Sequence, residues 1–328
     1  MTILNSKNKN FLSSDSLATI SLLVSFIVMS IFFTSQSEFF ISPSNFGNLA
    51  RTLAVVGITA IGMTLVLITA GVDLSVGSVA ALSGVLASMF WLEFNIPLGI
   101  SSLLALFFGA LVGFINGLII TVLKINPLIT TLASFSIIRG LAFVISDGQT
   151  NMLNNQGFYF IGRGNILAIP FSLFVMVFLY FIFYIILRYT SFGRNLYAIG
   201  ASPEMSRLAG INVDKHLLIS YTVSAFLAAF AGLIIASQLG SSAPRAATGL
   251  EFTVITAVVL GGTSLAGGKG TLIGTLLGVI ILRVLNNGLV LMEVSSFYQE
   301  VARGVVLLLA LSFDQIRSGF KHLRRQKA

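Results

Sequence analysis

Cysteine is absent from the 328 residues, histidine occurs twice, tryptophan once, and only 9% of the side chains are charged. Without cysteine there is no disulfide scaffold, thiolate zinc site, Fe–S cluster or cysteine nucleophile. His216 and His322 lie far apart at the ends of apolar segments, so there is no imidazole cluster for a metal and no catalytic dyad. The shortage of charge excludes more. An average soluble domain is about one quarter charged, and 11 acidic with 19 basic side chains cannot clothe a chain of this length in water. What is present is hydrocarbon: 56% of the residues are hydrophobic and the mean hydropathy is +0.97, which suits a lipid bilayer as the solvent. The net charge of +8 does not indicate nucleic acid, because the basic residues are scattered at segment ends and form no basic face with interleaved aromatics.

Apolar runs long enough to cross about 30 Å of hydrocarbon fall at 17–34, 52–70, 76–93, 98–123, 128–145, 170–187, 217–237, 252–266, 271–290 and 300–314. They predict an all-α polytopic membrane protein of about ten transmembrane helices, one membrane domain over 1–328. The first run follows Lys7 and Lys9 like a signal peptide, but no A-x-A-like site follows it, and it is expected to be retained as a helix. With a cytoplasmic N-terminus, 13 basic residues fall inside and 3 outside, namely Arg51, Arg163 and Arg245. That bias orients the chain with both termini in the cytoplasm. The N-terminus (1–16), the loop 188–216 and the basic tail 315–328 are then cytoplasmic.

No polar segment is long enough for a second domain. Gly261 to Gly270 resembles a phosphate-binding loop, but Thr263 stands where the Walker pattern has its first Gly and Gly270 where it has Ser or Thr. The stretch therefore reads as an interruption of an apolar segment. Gly71-Val72-Asp73-Leu74-Ser75-Val76-Gly77-Ser78 is another. A carboxylate at membrane depth must face protein or water, and two roles are open to Asp73: capping the following helix with Ser75, or contacting a solute. Paired Gly-interrupted segments in the two halves of a chain mark broken helices at a transport pathway. Close packing of small residues between helices produces the same composition. Asn116, Arg139, Arg283, Asn286 and Asn287 also lie inside spans, and Glu251 begins one. Arg283, Asn286 and Asn287 share a helix face that must look toward a pore or another helix, while an Asn taken singly also serves as glue between helices.

Within the cytoplasmic loop, Ser202-Pro203-Glu204-Met205-Ser206-Arg207-Leu208-Ala209-Gly210 reads as a helix of about seven residues with both ends specified. Ser202 is the N-cap, Pro203 the first helical residue, and Gly210 the left-handed stop, with Glu204 and Arg207 complementing the two ends. So short a helix is unstable alone. Met205, Leu208 and Ala209 give it an apolar face to pack on a surface, either a groove of another protein or its own subunit.

The Gly71–Ser78 stretch, Ala209-Gly210-Ile211-Asn212, the run from Val258 to Gly270, Asn286-Asn287-Gly288-Leu289 and Ser295-Ser296-Phe297-Tyr298-Gln299 together resemble the permease subunits of bacterial ABC importers for monosaccharides. The similarity is closest to the ribose permeases and their xylose, arabinose and galactose relatives, and it covers the chain from about Phe39 to Leu311. Arg283 stands where a small or apolar residue is expected. The resemblance implies a type II importer-like homodimer in the bacterial inner membrane. A periplasmic sugar-binding protein would deliver the monosaccharide, and a separate subunit would bind ATP and magnesium, this chain holding no cofactor. Glu204, Met205, Arg207, Leu208, Ala209 and Gly210 would be the coupling helix. Asp73, Ser75, Asn116, Gly261, Gly262, Asn286 and Asn287 would belong to the pathway or its core. The competing reading, an ion-coupled secondary transporter or channel for a small polar solute, would place an ion site at Asp73, Arg139 or Glu251.

Overall fold

The computed structural model of the chain describes residues 14–325. Lys7, Lys9 and Lys327 of the expected basic termini lie outside the described residues. The helices in chain order are α1 (Ser14–Gln36), a 3₁₀ turn (Glu38–Ile41), α2 (Pro43–Ile68), α3 (Val76–Leu92), α4 (Leu98–Val122), α5 (Pro127–Ile145), α6 (Gln156–Arg163) and α7 (Phe171–Tyr189). They continue as α8 (Ser191–Ala201), α9 (Pro203–Leu208), α10 (Val213–Leu239), α11 (Leu250–Leu260), α12 (Leu272–Leu291) and α13 (Ser296–Arg325). Four two-residue strands form two small antiparallel pairs: β1 (Asn151–Met152) with β4 (Ser241–Ser242), and β2 (Asn165–Ile166) with β3 (Ile169–Pro170).

Each of the ten apolar runs is a helix. Among the described residues, six helices (α2, α4, α5, α7, α10 and α12) are long and apolar enough to cross a membrane, and α3, α11 and the apolar part of α1 are shorter. The run 252–266 departs from expectation, because its helix, α11, stops at Leu260. Eleven residues rise about 16 Å, half a bilayer. α13 in turn runs beyond 314 to Arg325. Two further helices, α6 and α8, occupy stretches expected to be loops.

α2 is the centre of the bundle. It packs against α7, α10, α11 and α12, and from Leu53 to Ile68 every residue is buried. Thr59 and Thr64 tolerate this because their hydroxyls donate to the carbonyls of Val55 and Ala60, at 3.0 and 2.7 Å. α5 and α7 instead leave most of their surface outward, as lipid-facing helices do. Helices approach closely where side chains are smallest. Gly109, Gly113 and Gly117 form a ridge on α4 that receives Ala229, Tyr221 and Leu218 of α10, the small-residue packing that replaces the hydrophobic driving force in lipid. α11 and α12 meet backbone to backbone, Gly261 against Gly274 and Ala257 against Gly278. A Cβ at position 278 would collide with the Ala257 carbonyl, and backbone cannot swing aside. Gly278→Leu should therefore lower the thermal melting point of the purified chain by an amount equivalent to about 3 kcal/mol or more. Gly140→Leu, at an open position, should leave the melting point within error; equal stability of the two variants would refute the close packing.

Candidate functional site

The bundle has two ends. One carries α8, α9, the Gly71–Ser78 stretch and the Gly261–Gly270 loop; the other carries α6 and the two strand pairs. At the α9 end the chain leaves helical geometry after Ile68 and resumes it at Val76. Asp73 closes that gap. Its Oδ1 accepts the Ser75 amide at 3.0 Å and the Ser75 hydroxyl at 2.6 Å, and its Oδ2 accepts the Ser224 hydroxyl of α10 at 2.8 Å. Asn116 of α4 donates to Ser75 Oγ at 3.2 Å, and Val72 O accepts the Thr131 hydroxyl of α5 at 3.2 Å. Asp73 and Ser75 are fully buried. One carboxylate thus ties the non-helical turn to α10, with Ser75 carrying the link on to Asn116 of α4, and it bonds the amide of Ser75, the residue before α3, and no amide within the helix.

The second departure from helical geometry begins at the α6 end. After α10, β4 pairs with β1, and residues 243–249 then run into the bundle as irregular backbone before α11 starts. Arg139, midway along α5, donates from Nη1 to the Pro244 and Ala246 carbonyls, each at 2.8 Å. Its charge serves backbone acceptors that lipid would leave unsatisfied. Gly249 takes φ +78° where the segment turns into α11, a left-handed conformation that glycine adopts without strain. A cavity of about 230 Å³ lies beside this turn, walled by α2, α10, α12 and α13, with Arg283 and Arg303 in its lining.

The Gly261–Gly270 loop returns the chain from α11 to α12 at the α9 end. Gly262, Gly267, Gly268 and Gly270 all have positive φ. Its amides are committed to protein acceptors: Gly268 N–H donates to Ile68 O at 2.8 Å, Ser264 N–H to Lys269 O at 3.2 Å, and Thr263 N–H to Val258 O at 3.2 Å. Gly200 of α8 packs against Ile68 O and the Gly268 amide, and the Tyr197 hydroxyl donates to Gly270 O at 2.9 Å. Burial pushes the Tyr197 phenol above its usual range, which keeps it protonated as that donor. The loop is therefore a joint shared by α2, α8, α11 and α12.

α8 leads directly into α9. α9 has six helical residues, one fewer than expected, because Ala209 is already the C-cap. Ser202 Oγ accepts the Met205 amide at 3.3 Å. At the other end, Ile211 N–H donates to Ser206 O and Gly210 N–H to Arg207 O, both at 3.0 Å, with Gly210 at φ +81°. This is the Schellman closure. Ser206 faces the chain's own body, and Met205 and Leu208 are 65% and 82% exposed. Arg207 and Lys124 both pair with Asp214, at 3.2 and 3.1 Å, fixing α9 against α4 and α10. Glu204 and Ala209 are exposed.

The three polar residues of α12 do not act together. Asn287 exchanges two amide hydrogen bonds with Asn45 of α2, at 2.9 and 2.7 Å, which is a glue role. Asn286 is half-buried and Arg283 lines the cavity. Glu251 is buried beside Gly77 of α3.

Residues 45–311 match a family described as the permease component of a branched-chain amino acid transport system. The chain belongs to this permease family. The permease is 42% identical over 285 residues to the ribose import permease protein RbsC of Bacillus subtilis, covering 85% of this chain and 87% of that one. It is 40% identical to RbsC of Escherichia coli K12 over 297 residues, 89% and 92% of the two chains. It is 38% identical to the L-arabinose ABC transporter permease protein AraH of Azospirillum brasilense over 279 residues, 85% and 82% of the two chains. No solved structure matches it.

Sequence reasoning singled out Asp73, Ser75 and Asn116 of the permease's buried network but not Ser224. The signal available was weak, because Ser224 is one of several hydroxyl residues on α10, with Ser220, Thr222 and Ser237 on the same helix. Asp73→Ala would strand three buried donors, the Ser75 amide and the Ser75 and Ser224 hydroxyls, and each lost acceptor should cost about 1–3 kcal/mol. Ser224→Ala removes one of the three bonds and should cost about 1 kcal/mol. In a double-mutant cycle on thermal stability the two changes should be non-additive. Additivity would mean that Asp73 and Ser224 do not interact.

Proposed function

We propose that this permease is the transmembrane subunit of an ATP-binding cassette importer for a monosaccharide. In this reading it forms a single membrane domain in the bacterial inner membrane, pairs with a second copy of itself, and receives sugar from a periplasmic binding protein. ATP and magnesium bind a separate cytoplasmic subunit. The observation that carries the reading is α9: a short helix fully built at both ends, anchored by Asp214, with Met205 and Leu208 held outward where none of the described residues covers them. α9 is held to its own subunit through Ser206 and Arg207, which leaves Met205 and Leu208 as an apolar face on which a partner can pack. The relatives named for ribose and arabinose import support the sugar assignment.

The orientation follows from charge. Lys124, Arg188, Arg194, Arg207, Lys215 and Lys269 belong to the α9 end, which is therefore cytoplasmic, and Arg51, Arg163 and Arg245 to the α6 end. The ends of α8 then define a route for work. A displacement of α9 moves α8, whose Gly200 bears on Ile68 and Gly268, so the joint beneath α2, α11 and α12 shifts with it. Of the three groups an ion-coupled carrier would use, Asp73 is bonded to Ser75 and Ser224 and Arg139 to two backbone carbonyls, while the buried Glu251 keeps one oxygen without a hydrogen-bond partner.

Leu208→Asp places a charge at the centre of the exposed face. Desolvating it without a partner should cost several kcal/mol, so co-purification of the ATP-binding subunit and ATP-driven uptake should fall sharply while insertion in the membrane is unchanged. Wild-type co-purification would remove α9 from the interface. Energy source gives the broader test. The purified chain alone in liposomes should neither hydrolyse ATP nor concentrate sugar under any ion gradient; adding the ATP-binding subunit and loaded binding protein should restore both. Proton- or sodium-driven accumulation by the chain alone would overturn the importer assignment.

A further inference from the structure

Two adjoining cavities at the α6 end hold four arginines and no carboxylate in their linings. The first, of about 230 Å³, contains Arg283 and Arg303; the second contains Arg51 and Arg163, and Thr52 and Gln238 belong to both. The second pair is occupied. Arg163 Nε donates to Gln238 O at 2.8 Å, and Arg51 Nη2 to Arg163 O at 3.3 Å and Asn165 Oδ1 at 3.1 Å. In the inner pair, Arg303 Nη1 donates to Glu300 Oε1 at 3.1 Å, whereas Arg283 donates to none of the described residues. The Nε groups of Arg283, Arg303 and Arg51 are all buried without an acceptor.

Charge deepens the imbalance. Arg303 has one ion-pair partner, Glu300 at 3.1 Å, a carboxylate that is itself 67% exposed. The charged group acting on Arg283 is Arg303, and it repels. Glu251, the nearest buried carboxylate in sequence, abuts Gly77 of α3 outside the cavity wall, and its charge acts on Arg139 and Arg303 but not on Arg283. Arg283 thus faces a small cavity with no ion-pair partner among the described residues, which is unfavourable in a low dielectric, and guanidinium groups hold carboxylate and phosphate through paired N–H donors. The wall also offers the hydroxyl residues Thr52, Thr248 and Thr253, which suit a polyhydroxylated solute. It contains no aromatic ring on which a neutral sugar would stack. Arg51 and Arg163 in the adjoining cavity extend the positive field along the approach.

We propose that this cavity is a subsite for the oxyanion group of an acidic monosaccharide, held between Arg283 and Arg303, so that the solute carries a carboxylate or a phosphate. The inference rests on the permease reading and narrows its substrate class.

The test uses the full chain in nanodiscs of zwitterionic lipid, at constant ionic strength, with glucuronate, glucose 6-phosphate, glucose, acetate and inorganic phosphate as probes. Glucuronate or glucose 6-phosphate should raise the melting temperature by several degrees, and the one that does so identifies the group. Glucose should not, and acetate or inorganic phosphate should give a smaller shift. Arg283→Gln should abolish the shift while the unliganded variant melts no lower than the parent, because the repulsion is relieved. Arg283→Lys should restore part of it. An equal shift with glucose, no shift with either acidic sugar, or an undiminished shift in Arg283→Gln would overturn the subsite. In proteoliposomes with the ATP-binding subunit and binding protein, ATP-driven accumulation of neutral sugar alone would overturn the subsite and leave the permease reading standing. Failure to accumulate any sugar would count against that reading instead, and the melting shifts would still decide the subsite.

Discussion

Hydrocarbon supplies no hydrogen bonds, so every peptide group that leaves helical geometry inside the bundle must find its partner within the protein. The architecture follows from how that demand is met in two places. Between α2 and α3, the side chain of Asp73 substitutes for the missing turn of helix and reaches across to α10. Ahead of α11, Arg139 performs the complementary service, giving its protons to carbonyls where Asp73 takes protons from an amide and hydroxyls. A charged group of each sign has been placed at depth to make irregular backbone tolerable. The half-length α11 and its glycine joint are possible only because both are in place.

The sequence disclosed the parts that depend on solvent and local chemistry. Ten helices were legible because lipid demands apolar runs of a set length, and the ends of α9 were legible because Ser202, Pro203 and Gly210 act on their immediate neighbours. Partners far along the chain were not. A carboxylate at position 73 announces that it needs donors, but only folding brings Ser224 to it, 151 residues away. The shared face of Arg283, Asn286 and Asn287 was legible, yet its division was not: α12 turns Asn287 toward α2 and Arg283 toward a cavity. α11 was read too long because Leu265 and Ala266 prolong the apolar run beyond the helix. α8 carried a readable pattern, Phe192, Leu196 and Ile199 behind the Thr190 N-cap, hidden by treating the segment as a loop.

The joint beneath α2, α11 and α12 combines two properties seldom found together. Four of its glycines adopt left-handed or otherwise positive-φ conformations that would strain other residues, and the amides of Thr263, Ser264, Gly267 and Gly268 are nevertheless held by carbonyls. It is pinned by hydrogen bonds at rest, with Thr263 and Ser264 buried and Leu265 packed on the core, and its glycines carry no side chain to resist rotation. Such a segment suits a hinge between two discrete arrangements better than a flexible linker would, because hydrogen bonds can be exchanged as a set.

The apolar tip formed by Met205 and Leu208 also bears on how the protein must be produced. Those two side chains stand in water whenever a partner is absent, which makes every surplus copy of the chain an adhesive surface at the membrane face. In the proposed importer, balanced synthesis of the subunits would then bear on colloidal stability as much as on transport, because a copy made in excess keeps that face uncovered.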